Sequence, residues 1–131
     1  GPSFPIAQET ALKLKETCRI HAETYSSAEV LHGPVSIVGQ GFPVLAFAAA
    51  DAAEESVVAV ADALAGKGAE VFATSDRVRR ARPLPVVRTD HPLTDPLALI
   101  VSFYAMVEAV ARARGIDPDR PRHLSKVTET L

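Results

Sequence analysis

Apolar residues follow two patterns along this chain, and each pattern predicts a different element. Short continuous apolar runs at 35–38, 43–48, 71–74 and 84–88 are typical of strands. The run at 43–48 has the character of a strand that is covered on both faces. The run at 84–88 contains Pro85, which restricts it to the edge or the end of a sheet.

Longer segments with apolar residues at every third or fourth position predict helices. The first helix is expected at 6–25, where Ala, Leu, Lys and Glu dominate. A short second helix is expected at 26–31, because the Gly33-Pro34 pair must stop it. Asp51 is expected to cap a third helix, with Glu54 completing a capping box.

Asp95 followed by Pro96 has the composition of a helix start, and the segment that follows is the clearest helical pattern in the chain. Strands that alternate with helices predict parallel βαβ units, hence an α/β fold. Ligands of parallel sheets bind beyond the carboxyl ends of the strands. The loops after Val38, Ala48 and Thr74, and the one after Arg88, are therefore expected to border any site.

The chain opens almost directly into a helix, whereas a doubly wound domain usually begins with a strand. We therefore expect the opening strand to be missing and the chain to be a fragment of a larger protein. Its 131 residues fit one domain, 1–131, which needs no disulfide or metal to fold.

Composition narrows the class of protein only a little. The net charge is −2, and without a basic stripe we expect no nucleic-acid partner. The apolar stretches are interrupted short of the ~20 residues of a membrane helix, and no signal peptide is visible, so no membrane partner and a cytoplasmic location are expected. The single cysteine, Cys18, suits a reducing compartment.

Few side chains stand out for chemistry on spacing alone. Glu9, Lys13 and Glu16 share one helix face, where a solvated ladder of charges is the more common interpretation. His32 lies at a bend where it can cap carbonyl groups. The four histidines show no ligand spacing, so neither a metal nor a cofactor is expected. The arginines at 77, 79, 80 and 82 lie in a loop that could hold a phosphate, although a charged surface loop is the simpler account.

Three segments together resemble a known family. They are ALKLKE at 11–16, HAE at 21–23 leading to EVLHGP at 29–34, and PRHLSKVT at 121–128. In this order and spacing they resemble the second sugar-isomerase (SIS) domain of the glucosamine-6-phosphate synthase and deaminase family, and the resemblance covers nearly the whole chain. It implies a three-layer α/β/α sandwich with a five-stranded parallel sheet, and a tandem of two SIS domains whose first member is absent here.

The resemblance also implies an activity and roles for particular residues. The family interconverts ketose and aldose phosphates with gain or loss of ammonia at C2, usually as a homodimer with a shared active site. Glu16 matches the glutamate that moves the proton between C1 and C2, and Lys13 the lysine beside it. His32 matches the histidine of ring opening, which reaches in from the neighbouring subunit. Lys126 matches the tail lysine that forms a Schiff base with the open sugar, and Ser125 offers a backbone contact.

These assignments agree with what the chemistry demands. One carboxylate can reach two adjacent carbons, and a ring must open before C1 and C2 are accessible, which requires an acid–base group. A lysine nucleophile needs surroundings in which it loses its proton. The family's Ser/Thr-rich phosphate loop is absent from this chain, so the isolated chain is expected to be inactive or nearly so.

Several functions stay open at this stage. A deaminase acting on glucosamine 6-phosphate is preferred on the tail sequence, with the isomerase half of a glutamine–fructose-6-phosphate aminotransferase as the alternative. A sugar-phosphate-sensing SIS module and a dimerisation half without chemistry are the other two. The presence of Glu16, His32 and Lys126 together disfavours the sensor, which needs neither a base nor a Schiff-base lysine.

Overall fold

The computed structural model describes residues 1–124. The described elements are three α-helices, three short strands and two 3₁₀ turns. The helices are α1 (Phe4–Cys18), α2 (Glu54–Gly66) and α3 (Asp95–Ala113), and the strands are β1 (Pro43–Ala46), β2 (Glu70–Ala73) and β3 (Arg82–Pro83). The 3₁₀ turns cover Glu29–His32 and Pro34–Ile37.

The three strands form one parallel sheet in the order β1-β2-β3. Val44 pairs with Val71, and Phe72 pairs with Arg82. Helix α2 connects β1 to β2, as a parallel crossover requires. The predicted α/β fold with a parallel sheet is therefore confirmed.

Side chains of β1 alternate between two cores, which makes the fold layered. Val44 and Ala46 pack against a core that α2 shares with β2 and that contains Leu64 and Val71. Leu45 and Phe47 point the other way, since successive strand residues face opposite sides of a sheet. They pack against the core between α1 and α3, formed by Cys18, Phe103, Val107, Ala111 and Ile116.

The elements before β1 differ from their predictions, and the short helix expected at 26–31 is instead the 3₁₀ turn Glu29–His32. Helix α1 ends at Cys18 rather than at 25, because Arg19 takes a left-handed conformation with φ 53° and its backbone N–H bonds the Leu14 carbonyl. The chain then runs back along the helix, where the Thr24 hydroxyl donates to the Ala7 carbonyl at 3.0 Å. The predicted strand at 35–38 is wrong, since the segment forms a 3₁₀ turn that begins at Pro34.

Two helix starts and one strand also differ from their predictions. Helix α2 begins at Glu54 without a side-chain cap, and the Glu54 carboxylate binds Ser75 instead of closing a capping box. Helix α3 begins at Asp95, whose side chain binds Thr89 rather than capping. The third strand is Arg82–Pro83 and not 84–88, although the Leu84 N–H still donates to the Ala73 carbonyl at 2.7 Å.

Helix α3 is long and apolar enough to cross a membrane by length and composition, contrary to the expectation from sequence. Its charged residues are Asp95, Glu108 and Arg112. Leu99, Phe103, Val107 and Ala111 recur every four residues and are at most 5% exposed. That spacing gives α3 one buried face, which packs against α1, while Leu97 and Val101 on other faces are exposed.

Candidate functional site

Lys13 lies between two carboxylates on one face of α1. Its Nζ donates to Glu16 Oε2 at 2.8 Å and lies 3.7 Å from Glu9 Oε1. All three side chains are about one-third exposed. The hydrogen bond to Glu16 raises the pKa of Lys13 above its ordinary value, against an opposing effect of desolvation. Lys13 is therefore a fixed positive charge beside the Glu16 carboxylate.

This face of α1 packs beside α3, which adds a tyrosine to the charged group. The Tyr104 hydroxyl donates to Glu9 Oε1 at 2.9 Å. That hydrogen bond is the main reason why the pKa of Tyr104 lies above its ordinary value. Sequence reasoning missed Tyr104, because it lies 95 residues from Glu9 and only the packing of the two helices brings them together.

Two open clefts flank the Lys13–Glu16 pair. The first, of about 650 Å³, lies between α1 and α3 and is lined by Lys13, Tyr104 and the turn at 117–119. The second, of about 340 Å³, is lined by Glu16, Arg19 and the segment 122–124. Residues 122–124, the last described residues of the chain, therefore lie beside the cleft that Glu16 also lines. Lys126 follows Leu124 by two positions in the sequence.

The other predicted site residues lie elsewhere or outside the description. His32 ends the first 3₁₀ turn, exposed, and within residues 1–124 it makes no hydrogen bond or ion pair with Lys13 or Glu16. Ser125 and Lys126 lie outside the described residues. The part of the chain that the structure describes thus brings together Lys13 and Glu16 only.

A second polar group fills the carboxyl edge of the sheet. Arg88 donates to Glu54 Oε1 at 3.1 Å and to the Thr74 carbonyl at 3.0 Å. The Ser75 hydroxyl donates to the same Glu54 oxygen at 2.8 Å. On the other side of the guanidinium, Nη1 lies 3.7 Å from Oδ2 of Asp95, which is 1% exposed.

Thr74 completes this group by closing the gap between the ends of two strands. Its hydroxyl accepts from the Ala48 N–H at 2.8 Å and donates to the Ala48 carbonyl at 3.0 Å. The loops after Ala48, Thr74 and Arg88 meet at this edge as predicted, but their polar groups largely satisfy one another. These hydrogen bonds connect the ends of the strands to the start of α2, and they leave few polar atoms available to bind a ligand.

The loop after Val38 does not reach that edge, so its predicted place was wrong. Because 35–38 is not a strand, the loop leads into the amino end of β1. There the Gly41 N–H donates at 2.8 Å to the carbonyl of Gly68, which lies just before β2. The loop therefore lies at the opposite edge of the sheet.

The arginine-rich loop folds onto its own domain. The Asp62 carboxylate accepts backbone N–H bonds from Arg79, Arg80 and Ala81 at 2.7 to 3.0 Å. These hydrogen bonds hold the pKa of Asp62 below its ordinary value, and the bond from the Ala81 N–H has the largest effect. The guanidinium of Arg82 lies over the Phe72 ring. Nothing in this geometry gathers the arginines around one anion.

Within residues 1–124, no group of three or more His, Cys, Asp or Glu side chains is placed to hold a metal ion. The charged groups that do converge are carboxylates paired with Lys13 or Arg88. They are suited to proton transfer and to holding the fold together.

Comparison with known proteins identifies the family. The model of the SIS domain family matches residues 1–78. This chain is 35% identical to a glutamine–fructose-6-phosphate aminotransferase (isomerizing) of Pyrobaculum aerophilum over 131 aligned residues. The alignment covers 96% of this chain and 22% of that relative. The chain thus spans about a fifth of the length of that curated relative.

Two solved structures give the same answer for the fold. One is a protein of Silicibacter pomeroyi that is provisionally assigned as a phosphosugar isomerase. It is 68% identical to this chain with a TM-score of 0.84, and the match covers 89% of this chain and 36% of the Silicibacter chain. The other is the glucosamine-6-phosphate deaminase of Thermotoga maritima: 26% identity, TM-score 0.71, covering 94% of this chain and 36% of that one. With its layered parallel fold and this family match, the chain belongs to the SIS domain family.

Proposed function

We propose that this chain is the C-terminal SIS half of an enzyme that converts glucosamine 6-phosphate and water into fructose 6-phosphate and ammonia. The observation that carries the proposal is the 2.8 Å pair between Lys13 and Glu16, in a family whose relatives act on these sugars. A lysine held against a carboxylate on a helix that borders two clefts supplies a base and a charge at one place.

In the proposed reaction, Glu16 takes the proton from C2 of the open-chain amino sugar and returns it to C1. The resulting ketose imine is hydrolysed in two steps, and nitrogen leaves as ammonia. A carboxylate with two oxygens suits this transfer, because it can reach two adjacent carbons without leaving its helix. Lys13 keeps that carboxylate oriented. Lys126 is proposed as the amine that attacks C2 of the ketose imine and displaces ammonia, with Ser125 beside it. Water then hydrolyses the resulting Schiff base, which releases fructose 6-phosphate and the free lysine.

His32 is proposed as the ring-opening acid–base group of a neighbouring subunit. Its exposure and its lack of contact with Glu16 in one chain support a site shared between two copies. Leu31 and Ile37, beside it, are 50% and 63% exposed, which suits a surface that is covered in a homodimer. A sugar phosphate in the cytoplasm is the proposed substrate, with no nucleic-acid or membrane partner.

The sheet also supports a larger parent enzyme. Strand β1 lies at an edge of the described sheet, beside an apolar groove of about 210 Å³ lined by Phe4, Val44, Phe47 and Val57. An open apolar edge of this kind is normally covered. We expect a further strand to pair with β1 in the whole protein, and a first SIS domain to supply the phosphate loop.

The deaminase is preferred over the isomerase half of an aminotransferase on the tail sequence at 127–131. The lengths of the solved relatives do not separate the two functions. The chain covers 36% of the solved deaminase and 34% of a solved C-terminal domain of a glucosamine-fructose-6-phosphate aminotransferase of Francisella tularensis. The assay below distinguishes them.

The test is an assay of the full-length protein with glucosamine 6-phosphate, following ammonia and fructose 6-phosphate. We expect both products, and Glu16→Gln should lower turnover by about 100-fold or more while sugar binding remains. Glu70→Gln changes an exposed glutamate at the start of β2 and is the matched control.

Each other outcome selects a different function. Product formation only in the direction of glucosamine 6-phosphate, with glutamine as donor, would establish the aminotransferase. Unchanged turnover in Glu16→Gln would place the chemistry in the other domain. Sugar binding by the wild type without turnover in either direction would indicate a sensing module.

A further inference from the structure

Lys13 has two carboxylates within reach and binds one of them more closely. Its Nζ lies 2.8 Å from Glu16 but 3.7 Å from Glu9. Helical spacing does not explain the difference, because residues three and four positions away are both neighbours on a helix surface. Exposure does not explain it either, since the two carboxylates are 31% and 28% exposed. The selection therefore comes from outside α1.

Tyr104 provides the difference between the two carboxylates. Its hydroxyl donates at 2.9 Å to Oε1 of Glu9, the same oxygen that faces Lys13. Glu16 accepts no side-chain hydrogen bond other than that from Lys13 within the described part of the chain. A hydrogen bond to a charged acceptor stabilises that acceptor. With Glu9 already satisfied by Tyr104, the ammonium binds the carboxylate that has no other donor.

The packing of α3 keeps Tyr104 in this position. Phe103, next to it, is 3% exposed, and Val107, one turn further on, is 5% exposed, both in the core against α1. The tyrosine is therefore carried on a helix that is fixed to the helix bearing Lys13. Arg112, the one cation on α3, lies in the same cleft and forms an ion pair with Glu108.

We propose that Tyr104 is a positioning residue for the Lys13–Glu16 pair. By holding Glu9, it leaves the Lys13 ammonium on Glu16 and so fixes the orientation of the carboxylate that moves the proton. The inference rests on the proposed function, in which Glu16 is the base. Without the hydroxyl, Lys13 is the remaining close donor to Glu9 among residues 1–124, and Glu9 draws the ammonium away from Glu16.

The experiment is the Tyr104→Phe substitution in the full-length protein, which removes the hydroxyl and keeps the ring. We expect kcat to fall about two- to five-fold, the effect that a partly exposed ion pair supports, with KM unchanged. The matched control is Tyr25→Phe. Tyr25 is the other tyrosine of the chain and also donates to a glutamate, Glu23, but lies away from Lys13. The control should keep the wild-type kcat.

A second substitution separates positioning from a loss of stability. Glu9→Gln removes the charge that competes for Lys13, so it should restore most of kcat when added to Tyr104→Phe, and should cost little alone. A purely structural role predicts no recovery of kcat in the double variant, because each substitution already breaks the same Tyr104–Glu9 contact. An unchanged kcat in Tyr104→Phe, a failure of the rescue, or a large loss in Glu9→Gln alone would each overturn the inference. A wild-type protein without turnover would remove the proposed function and this inference with it, whereas the first three results leave the proposed function intact.

Discussion

Arg88 donates from Nη2 to Oε1 of Glu54 across 3.1 Å, and so ties the loop beyond β3 to the first turn of α2. The Glu54 side chain is only 11% exposed, and the Arg88 side chain 24%. The same guanidinium also donates to the carbonyls of Thr74 and Ala48. The Arg88 side chain thus donates hydrogen bonds to carbonyl groups just beyond β1 and β2 and to a carboxylate in the first turn of α2.

Removing that side chain should weaken the fold more than its partial exposure suggests. We expect Arg88→Ala to lower the free energy of unfolding by about 2 to 4 kcal/mol, because the buried Asp95 carboxylate loses its cation and Glu54 keeps, within residues 1–124, only the more exposed Arg77, at 3.6 Å. Urea unfolding followed by circular dichroism measures the change. Arg79→Ala, which removes an exposed side chain and keeps the backbone N–H that Asp62 binds, should stay within about 0.5 kcal/mol of the wild type. Equal effects of the two substitutions would show that the Arg88 contacts contribute little.

Asp95 should make the fold sensitive to acid. The backbone N–H and the hydroxyl of Thr89 hold the pKa of Asp95 below its ordinary value of 3.8, and Arg88 lowers it further. A carboxyl whose folded-state pKa is depressed stabilises the fold above its unfolded pKa, and that stability is lost as the pH falls through the folded value. The contribution should therefore be complete above about pH 5 and be lost progressively as the pH falls from there toward the folded-state pKa.

The variant Asp95→Asn tests this pH dependence directly. It keeps an acceptor for Thr89 but cannot titrate, so the free energy of unfolding should fall less steeply between pH 4 and pH 2 than in the wild type. Denaturant titrations at a series of pH values give the two slopes. Asp119→Asn, at an exposed carboxylate in the turn after α3, should leave the slope as in the wild type. Parallel slopes for wild type and Asp95→Asn would place the acid sensitivity elsewhere.

The sequence pattern predicted the helices and strands that depend mainly on the residues within each segment. The apolar run at 43–48 contains β1, and the run at 71–74 overlaps β2 except for Glu70. The Asp95-Pro96 start and the helical pattern of apolar residues after it predicted α3. The three segments that resemble the SIS family were sufficient to name it. Lys13 and Glu16 could be paired from sequence because they lie three residues apart on one helix.

The remaining features depend on contacts between distant residues. The run at 35–38 resembles a strand by composition, but none of the strands within residues 1–124 pairs with it, and Pro34 starts a 3₁₀ turn there instead. Asp95 and Glu54 resemble helix caps, and only the folded sheet shows that each is turned toward Arg88. Tyr104 gives no sequence signal, because its role depends on the packing of α3 against α1.

The loop of arginines should lose its order when Asp62 is removed. In Asp62→Ala the backbone N–H groups of Arg79, Arg80 and Ala81 lose their common acceptor. We expect faster amide hydrogen exchange at these three positions, because their protection comes from that carboxylate and not from the sheet. Two-dimensional NMR measures exchange residue by residue. Asp76→Ala, an exposed carboxylate at the start of the same loop, is the control and should leave the three rates unchanged.

Cys18 should be unreactive in the folded chain. Its side chain is fully buried at the end of α1, where Sγ donates to the Val107 carbonyl at 3.4 Å. A thiol reacts as the thiolate and only where a reagent reaches it, so labelling has to wait for the α1–α3 core to open. We expect the labelling rate to rise with denaturant in step with unfolding, and one thiol to react at once in the denatured chain. Rapid labelling in native buffer would mean that α1 separates from α3 without unfolding, and the Tyr104–Glu9 contact would then be transient as well.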